Sequence, residues 1–371
     1  MKFAVVEYTS KSGGVWRASQ GKPNFLADPD KEIDPTSFGC YVSAFEGEHI
    51  PLKGLITGSV GHISPAKVLL RRAWKRITGR FPATFDLSYL TQFDALLIVH
   101  QISDGHEITS LVRRLKKQNP RPYMIGVPTQ PFGILQDYAA SHPIWQADFK
   151  EYMGLCDVFL TIVESTLPQW QRLTDTPVVY AAQPYPVEYA STYVKAAPKN
   201  PILFVSGVTD RKHIARGQSV ARELQKKFPE YAIHVTDTPG HRQNLVGLTG
   251  TRYATQPFLP WSQQLQYLAQ VKLVINTDFT QTRGRVQTDC AAVGTPSIGA
   301  DSDAQRDLYP DFYADENTSV DVLVQQGSSL LQDQALYAKT TALARQQLKK
   351  YTYETCKQNI IDVMEKYPKR I

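Results

Sequence analysis

The chain has 371 residues, 42% of them hydrophobic and 20% charged, and a formal net charge of +6. The length fits two domains, and the composition is that of a folded globular protein, which excludes a disordered chain. The sequence has no apolar run long enough to span a membrane and no apolar signal-peptide core, and its modest positive charge favours anionic partners without choosing among nucleotide, membrane surface and nucleic acid.

The first half of the chain alternates between predicted strands and helices. Short apolar runs indicate strands, and the continuous run Phe93–Val99 indicates a buried parallel strand. The predicted strands are Phe3–Tyr8, Cys40–Phe45, Phe93–Val99, Tyr123–Val127, Val158–Val163 and Pro177–Ala181. The predicted helices are Lys67–Phe81, Ile108–Gln118 and one that ends with Phe149–Leu155.

A second alternation begins after Lys195–Pro201, a segment of linker composition. Its predicted strands are Ile202–Ser206, Ala232–Thr236, Leu273–Asn276 and Ser297–Ala300. Its predicted helices are Gly217–Phe228, Trp261–Ala269, Val286–Val293 and the terminal Tyr351–Tyr367. Two successive series of this kind predict an α/β protein with two Rossmann-like, doubly wound domains.

The segment Gln281–Pro296 carries the strongest chemical pattern. It follows a strand, and a loop that contains Gly284 leads into a helix whose first N–H groups favour an anion. Arg283 and Arg285 add forked donors that suit phosphate, and Asp289 can accept hydrogen bonds from ribose hydroxyls. The alternative is an ordinary strand–loop–helix whose charges are only solvated.

A second basic loop follows the first strand of the second series. Gly207 ends that strand, and Arg211 and Lys212 come soon after it. Ligands of such folds bind at the carboxyl ends of parallel strands, where cations would stabilise the charge of a departing nucleoside diphosphate. A solvated basic turn is the alternative.

The two loops together resemble the donor site of GT-B glycosyltransferases, and glycosyltransferase family 4 in particular. In that family two acidic residues, eight positions apart, flank a Gly-bearing loop, and Gly-Thr-Pro follows; here the two positions are Gln281 and Asp289. The resemblance implies that the first contacts the donor sugar, the second the ribose, and Lys212 the diphosphate. The family's arginine falls on Gly207, so Arg211 or the arginines of the Gly284 loop would replace it.

The resemblance also implies the layout of the whole chain. Two Rossmann-like domains would face a cleft, with an acceptor-side domain at 1–197, a nucleotide-sugar domain at 198–350, and a terminal helix at 351–371 that crosses back to the first domain. Gly13 and Gly14, after the first strand, resemble the Gly-Gly loop of many GT-B enzymes. That loop lets the backbone approach donor or acceptor, and a plain turn is the alternative.

Three polar residues follow the strand Phe93–Val99: His100, Asp104 and His106. At the carboxyl end of a strand they could orient an acceptor hydroxyl or act as a base, and they are the catalytic candidates. Ordinary loop or core positions are the alternative.

The predicted function is transfer of a sugar from a nucleotide-sugar donor, UDP-sugar by default, to a hydroxyl acceptor such as a glycan or lipid-linked glycan, with retention of configuration. One alternative is a phage-type DNA glycosyltransferase that acts on a hydroxymethylated base, and another is a non-catalytic nucleotide-binding protein on the same scaffold. No further cofactor and no metal are expected. Structural zinc in particular is not expected, because the four cysteines form no Cys-x-x-Cys pair.

The expected location is the cytoplasm, because the cysteine pattern fits a reducing compartment. The basic helix Lys67–Phe81 places Leu70, Trp74 and Ile77 on one stripe. This pattern is typical of a helix that lies on an anionic membrane, and it could also contact phosphates of DNA. A surface helix with its apolar face in the core is the alternative.

Overall fold

The structure is a computed structural model that describes residues 1–7, 16–17, 38–52, 55, 69–70, 73, 87–102, 105–129, 132–195, 199–207, 214–237, 245, 248–282, 284–302 and 304–370. The chain forms two compact units. The first unit comprises Met1–Pro184 and Tyr353–Ile371, and the second comprises Tyr185–Thr352.

The described residues of the first unit contribute seven strands to one sheet. In chain order, β1 to β7 are Phe3–Glu7, Trp16–Arg17, Glu48–Pro51, Ala95–His100, Tyr123–Pro128, Val158–Thr161 and Val178–Tyr180. Their order across the sheet is β2-β3-β1-β4-β5-β6-β7. All neighbours pair in parallel except β2 and β3. This is the doubly wound topology that the sequence predicts.

Both faces of this sheet are covered. Successive residues of β1 belong to different cores, Val6 to one and Val5 to the other. Because neither face meets water, the central strands β1 and β4 are apolar up to their last residues, Glu7 and His100, which is why they appear in the sequence as apolar runs. The helices of this unit are Gly39–Phe45, Gly105–Leu115, Phe132–Ser141, Pro143–Leu155, Leu167–Gln171 and Tyr353–Lys366.

One predicted strand is wrong. Residues Cys40–Phe45 belong to the helix Gly39–Phe45, in which every residue except Ser43 is buried. This helix packs against β1 and against the terminal helix Tyr353–Lys366. A short helix that is buried on most sides gives the same continuous apolar run as a buried strand, and periodicity over six residues does not separate the two.

The second unit contains another parallel sheet, of six strands within the described ranges. In chain order, β8 to β13 are Asn200–Ser206, Ala232–Asp237, Tyr253–Pro257, Val271–Asn276, Ser297–Ala300 and Tyr313–Ala314. Their order across the sheet is β10-β9-β8-β11-β12-β13. The helices are Val187–Ser191, Ile214–Lys227, Trp261–Leu268, Val286–Val293, Gln305–Leu308, Val320–Gln332 and Gln334–Gln347.

A buried ion pair ties the end of the chain into the first unit. Asp157, which is fully buried, accepts two hydrogen bonds from the guanidinium of Arg121, at 2.7 and 2.8 Å. The backbone N–H of Arg370 donates to the same carboxylate at 2.8 Å, and the backbone N–H of Met124 donates at 2.9 Å. One carboxylate therefore holds β5 and the C-terminal segment together.

Three further findings concern the described part of the chain. No helix there is both long and apolar enough to cross a bilayer. No group of three or more His, Cys, Asp or Glu side chains in these ranges is arranged to hold a metal ion. All four cysteines are buried and free of disulfide bonds.

Candidate functional site

The carboxyl ends of β8 and β11 lie side by side in the second unit. Ser206, the last residue of β8, pairs with Asn276, the last residue of β11. Beside them in β12, Gly299 has φ +128, and a Cβ there would lie 1.9 Å from the carbonyl oxygen of Asn276. Only glycine allows this close approach of two strands.

The loop after β11 is held by its own side chains. The Oδ1 atom of Asn276 accepts a hydrogen bond from the backbone N–H of Asp278 at 3.0 Å. Asp278 in turn accepts from the backbone N–H of Thr280 at 3.1 Å and from its hydroxyl at 2.5 Å. These Asx-type turns fix the path of the chain toward Gln281, which adopts the left-handed conformation with φ 56.

The helix Val286–Val293 starts at the carboxyl edge of the sheet. Its N-cap residue, Arg285, gives no side-chain hydrogen bond to the first turn. The N-terminus of a helix favours an anion, because the partial positive charge of the aligned peptide dipoles is concentrated there. At the other end, Gly294 terminates the helix in the left-handed conformation, with φ 71.

A half-buried lysine fixes the far end of this helix. Lys199 donates hydrogen bonds to the carbonyl oxygens of Ala269 and Val293, at 2.7 and 3.3 Å, and to Oγ1 of Thr295 at 3.0 Å. It therefore joins the C-terminal ends of two helices, where a cation is favourable. Burial lowers the pKa of Lys199 to about 8.

A cavity of about 180 Å³ opens at this edge of the sheet. It is lined by Phe204, Ser206, Gly207, Thr236, Phe258, Leu259, Gln264, Arg285, Val286 and Asp289. Of the residues that the sequence predicts as donor ligands, the cavity brings together Gly207, Arg285 and Asp289. Gln281 and Gly284 lie on the loop before the helix and do not line it. Predicted ligands that fall outside the described residues are Gly13, Gly14, Arg211, Lys212 and Arg283.

Asp289 is held from inside the unit. Its Oδ1 accepts hydrogen bonds from the Tyr185 hydroxyl at 2.6 Å and from the Trp261 indole at 3.0 Å. The Nε atom of Arg285 lies 3.7 Å from Oδ2. The carboxylate is 1% exposed, so in this conformation it presents almost no surface to the cavity. The ribose role predicted for Asp289 stays a prediction.

The sequence did not reveal the partners of Asp289. Tyr185 is 104 positions away and Trp261 is 28 positions away. No periodicity or motif joins the three residues. A buried carboxylate next to the predicted Arg285 needs donors from elsewhere, and buried tyrosine and tryptophan each carry one. This need for hydrogen-bond donors was the only feature of the sequence that pointed to aromatic partners of Asp289.

In the first unit, His100 lies beneath the surface. Its ring is fully buried against Trp145, Phe149 and Tyr152, with ring centroids 4.7 to 5.8 Å apart. Neither ring nitrogen has a hydrogen-bond partner among the described residues. Burial lowers the pKa of His100 to about 3, so the ring is neutral at physiological pH. A catalytic role for His100 stays a prediction, and as placed the ring does not reach solvent.

His106 is exposed at another cavity. Its side chain is 68% exposed, and its Nδ1 lies 3.3 Å from Oδ2 of Asp148. Asp148, which the sequence analysis did not single out, belongs to the helix Pro143–Leu155. Only the C-terminal half of that helix was predicted, so its first turns gave no signal. Asp104, the third catalytic candidate, falls outside the described residues.

Comparison with known proteins gives relatives by structure only. No family model and no curated protein sequence matches the chain. Sucrose-phosphate synthase from Thermosynechococcus elongatus is 13% identical, with a TM-score of 0.59 and 98% of each chain covered. The α,α-trehalose 6-phosphate synthase from Burkholderia multivorans is 7% identical, with a TM-score of 0.64 and 98% of each chain covered.

A third similar structure is a mutant TarM from S. aureus in complex with Fondaparinux, alpha-GlcNAc-glycerol and UDP. It is 13% identical, with a TM-score of 0.56, and the match covers 75% of the present chain and 57% of TarM. These structures are GT-B glycosyltransferases. The likeness confirms the predicted fold: the chain has the α/β GT-B fold with two Rossmann-like domains.

Proposed function

We propose that this chain is a glycosyltransferase that moves a sugar from a nucleotide-sugar donor to a hydroxyl acceptor. The observation that carries the proposal is the cavity of the second unit, where Gly207, Arg285 and the start of the helix Val286–Val293 meet at the carboxyl edge of a parallel sheet. Ligands of such folds bind at this edge. The GT-B fold of the chain supports the same function.

The chemistry of this cavity suits a nucleoside diphosphate as leaving group. In sugar transfer, the bond between the anomeric carbon and the diphosphate oxygen breaks, and negative charge develops on that oxygen. The guanidinium of Arg285 and the first N–H groups of the helix would stabilise that charge. Lys212, Arg211 and Arg283 are proposed as further ligands of the diphosphate on the strength of the family 4 resemblance.

We assign UDP as the nucleotide, with no cofactor beyond the donor. The mutant TarM structure that resembles this chain contains UDP, and this supports the assignment. Asp289 is the proposed ribose residue, with the Tyr185 and Trp261 bonds fixing one of its oxygens while the other faces Arg285. A direct ribose contact requires that the carboxylate become more exposed when the nucleotide binds.

Retention of configuration is the proposed stereochemical outcome. Matches to the family 4 pattern lie in the donor half of the chain, and that family is retaining. In a retaining transfer of this type the departing phosphate takes the proton of the acceptor hydroxyl. The acceptor's oxygen then forms its bond to the anomeric carbon on the face from which the phosphate leaves. Arg285 would hold the phosphate in place for both events.

The acceptor is proposed to be a glycan or a lipid-linked glycan. Membrane contact through residues 67–81 belongs to the same proposal. Within that segment the structure describes Leu69, Leu70 and Ala73, and the two leucines are 66% and 69% exposed. Exposed leucines beside a basic run are consistent with a surface that meets lipid.

The function is tested by screening nucleotide sugars. Purified protein is mixed with UDP-, GDP-, ADP- and CMP-sugars, and both the melting temperature and the release of free nucleotide are measured. We expect UDP-sugars to raise the melting temperature, because a ligand that binds only the folded state stabilises it by mass action. Slow nucleotide release should accelerate when glycans are added. A chain that neither binds nor consumes any of these donors would refute the proposal.

A further inference from the structure

A cavity of about 450 Å³ in the first unit has no part in the donor site. It lies between the first turns of two helices, Gly105–Leu115 and Pro143–Leu155. Both helices begin at the carboxyl edge of the parallel sheet. Gly105–Leu115 follows the end of β4, and Pro143–Leu155 leads back to the start of β6. The wall includes Gly105, His106, Glu107, Ile144, Trp145 and Asp148.

The polar groups of this wall include both donors and acceptors. His106, Ser141 and His142 can each donate or accept, while Glu107 and Asp148 accept. Two carboxylates in one small cavity disfavour an anionic ligand such as a phosphate. Hydroxyl groups suit such a wall, because each hydroxyl can both donate to a carboxylate and accept from an imidazole.

The apolar part of the wall includes the aromatic side chain of Trp145. The indole of Trp145 stacks on Phe149, with ring centroids 5.1 Å apart and an interplanar angle of 15°. Ile144, at the rim, is 81% exposed. An aromatic face beside polar groups matches a sugar ring, which carries hydroxyls at its edge and C–H groups on its faces.

His106 is oriented by Asp148. A carboxylate has no proton to donate at neutral pH, so Nδ1 of His106 donates to Oδ2 of Asp148 across 3.3 Å. The proton on Nδ1 leaves the lone pair on Nε2, which can accept a hydrogen bond from a hydroxyl. The hydroxyl of Thr109 donates to the backbone carbonyl oxygen of Gly105 at 2.8 Å and lies 3.1 Å from that of Asp148, so it lies where the two helices meet.

An independent observation lies under the wall. The indole N–H of Trp145 is buried without a hydrogen-bond partner among the described residues, as are both nitrogens of His100. Trp145 Nε1 and His100 Nε2 lie 3.2 and 2.8 Å from the point where a Cβ on Gly105 would stand. Two such nitrogens therefore converge beside Gly105, which itself lines the cavity. Buried polar groups are normally paired, and these two nitrogens lie directly behind the wall of the cavity.

We propose that this cavity is the acceptor site and that it takes an uncharged, hydroxyl-rich compound, a neutral saccharide rather than a sugar phosphate. The proposal rests on the glycosyl transfer proposed above. Trp145 stacks on the sugar ring and His106 accepts a hydrogen bond from one of its hydroxyls. Asp148 is the positioning residue of His106.

Saccharide binding is measured without a donor, so that the result does not depend on transfer. The intrinsic tryptophan fluorescence of the full chain is titrated with maltose, cellobiose and sucrose, and with glucose 6-phosphate. We expect saturable binding of at least one neutral saccharide and weaker binding of the phosphate. If glucose 6-phosphate binds more tightly than every neutral saccharide, or if no neutral saccharide binds, the proposal is overturned.

Variants separate a binding role from a structural one. His106→Ala should raise the Kd of the saccharide about 5- to 10-fold, the loss expected for one hydrogen bond, and Trp145→Ala should raise it by a similar factor because the aromatic face is lost. Asp148→Asn should raise it similarly, because the amide can hold the other tautomer of His106, whereas Asp148→Glu keeps a carboxylate and should raise it less. UDP binding should not change in any of them.

Glu151→Gln is the matched control. Glu151 pairs with Arg113 across the same two helices, at 2.7 and 2.8 Å, and does not line the cavity. Glu151→Gln should therefore leave the Kd of the saccharide unchanged. If Glu151→Gln and Asp148→Asn weaken saccharide binding equally, the His106–Asp148 pair only holds the two helices together. That result would overturn the positioning role of Asp148. Failure of the glycosyl transfer itself is recognised separately, by the absence of nucleotide release with any donor.

Discussion

The hydroxyl of Tyr185 donates a 2.6 Å hydrogen bond to Oδ1 of Asp289. This bond connects the first residue of the second unit to the helix that begins at its cavity. Trp261 adds a second bond to the same oxygen, so the carboxylate has a fixed orientation. The other oxygen lies toward Arg285, the cation of the proposed diphosphate site.

The first prediction concerns the charge of Asp289. In Asp289→Asn a carbonyl oxygen remains to accept from Tyr185 and Trp261, so the fold should survive. Nucleotide affinity should fall about tenfold, because the neutral amide holds Arg285 and any ribose hydroxyl less well. Calorimetric titration with UDP and a thermal melt measure the two effects. If Asp289→Asn unfolds the unit, the residue is structural and its proposed ligand role is wrong.

The second prediction concerns Arg285. Arg285→Ala should raise the Kd for UDP about 10- to 100-fold, the range for a charge-assisted hydrogen bond. Arg252→Ala is the control. Arg252 immediately precedes β10, so it lies at the amino end of the strands, away from the cavity, and it donates to the Pro229 carbonyl oxygen at 3.0 Å. The same loss of affinity in both variants would indicate a general charge effect instead of a site.

The third prediction concerns acid stability. The pKa of His100 is about 3 in the folded chain against an ordinary 6.5, so the unfolded chain binds the extra proton between these values. The contribution of the neutral ring to the free energy of unfolding is fully present above pH 6.5 and is lost as the pH falls toward 3. At pH 4.5 the loss amounts to about 2–3 kcal/mol.

His100→Phe removes the titrating ring but keeps an aromatic one. Urea melts between pH 7.5 and 4 should give a smaller loss of unfolding free energy for this variant than for the parent. Phe149→Leu is the control, because it disturbs the same aromatic cluster without removing a proton site. Parallel curves for His100→Phe and the parent would show that burial does not lower the pKa of His100, and would contradict the prediction.

The fourth prediction concerns the ion pair of Asp157. Asp157→Ala should lower the free energy of unfolding by about 3–5 kcal/mol, since it leaves the largely buried Arg121 without its partner. Glu223→Ala, at the exposed pair with Lys226, should change it little. Denaturant melts followed by circular dichroism measure both. A small effect at Asp157 would mean that water replaces the carboxylate.

The fifth prediction concerns stereochemistry. Proton NMR of the first product formed should show the anomeric configuration of the donor. With retention, His106→Ala should slow turnover only modestly, because the phosphate and not the imidazole takes the proton. With inversion, loss of a general base would cost about 10²- to 10⁴-fold. An inverted anomeric centre in the product would refute retention.

The sequence by itself determined the fold class. Apolar runs such as Phe93–Val99 predicted parallel strands because a strand covered on both faces has no position for a polar residue. The sequence also located the loop before the helix Val286–Val293, whose observed bounds equal the predicted ones. Local backbone chemistry suffices here, since Gly294 ends the helix where its left-handed conformation is required.

Tertiary structure alone decided what surrounds the candidate residues. It placed His100 beneath aromatic rings and His106 at an open cavity, although both follow the same strand. It brought Asp148 to His106 and Tyr185 to Asp289 across 42 and 104 positions. Periodicity reports which face of an element is buried, whereas these pairs depend on how separate elements pack, and no local pattern encodes that.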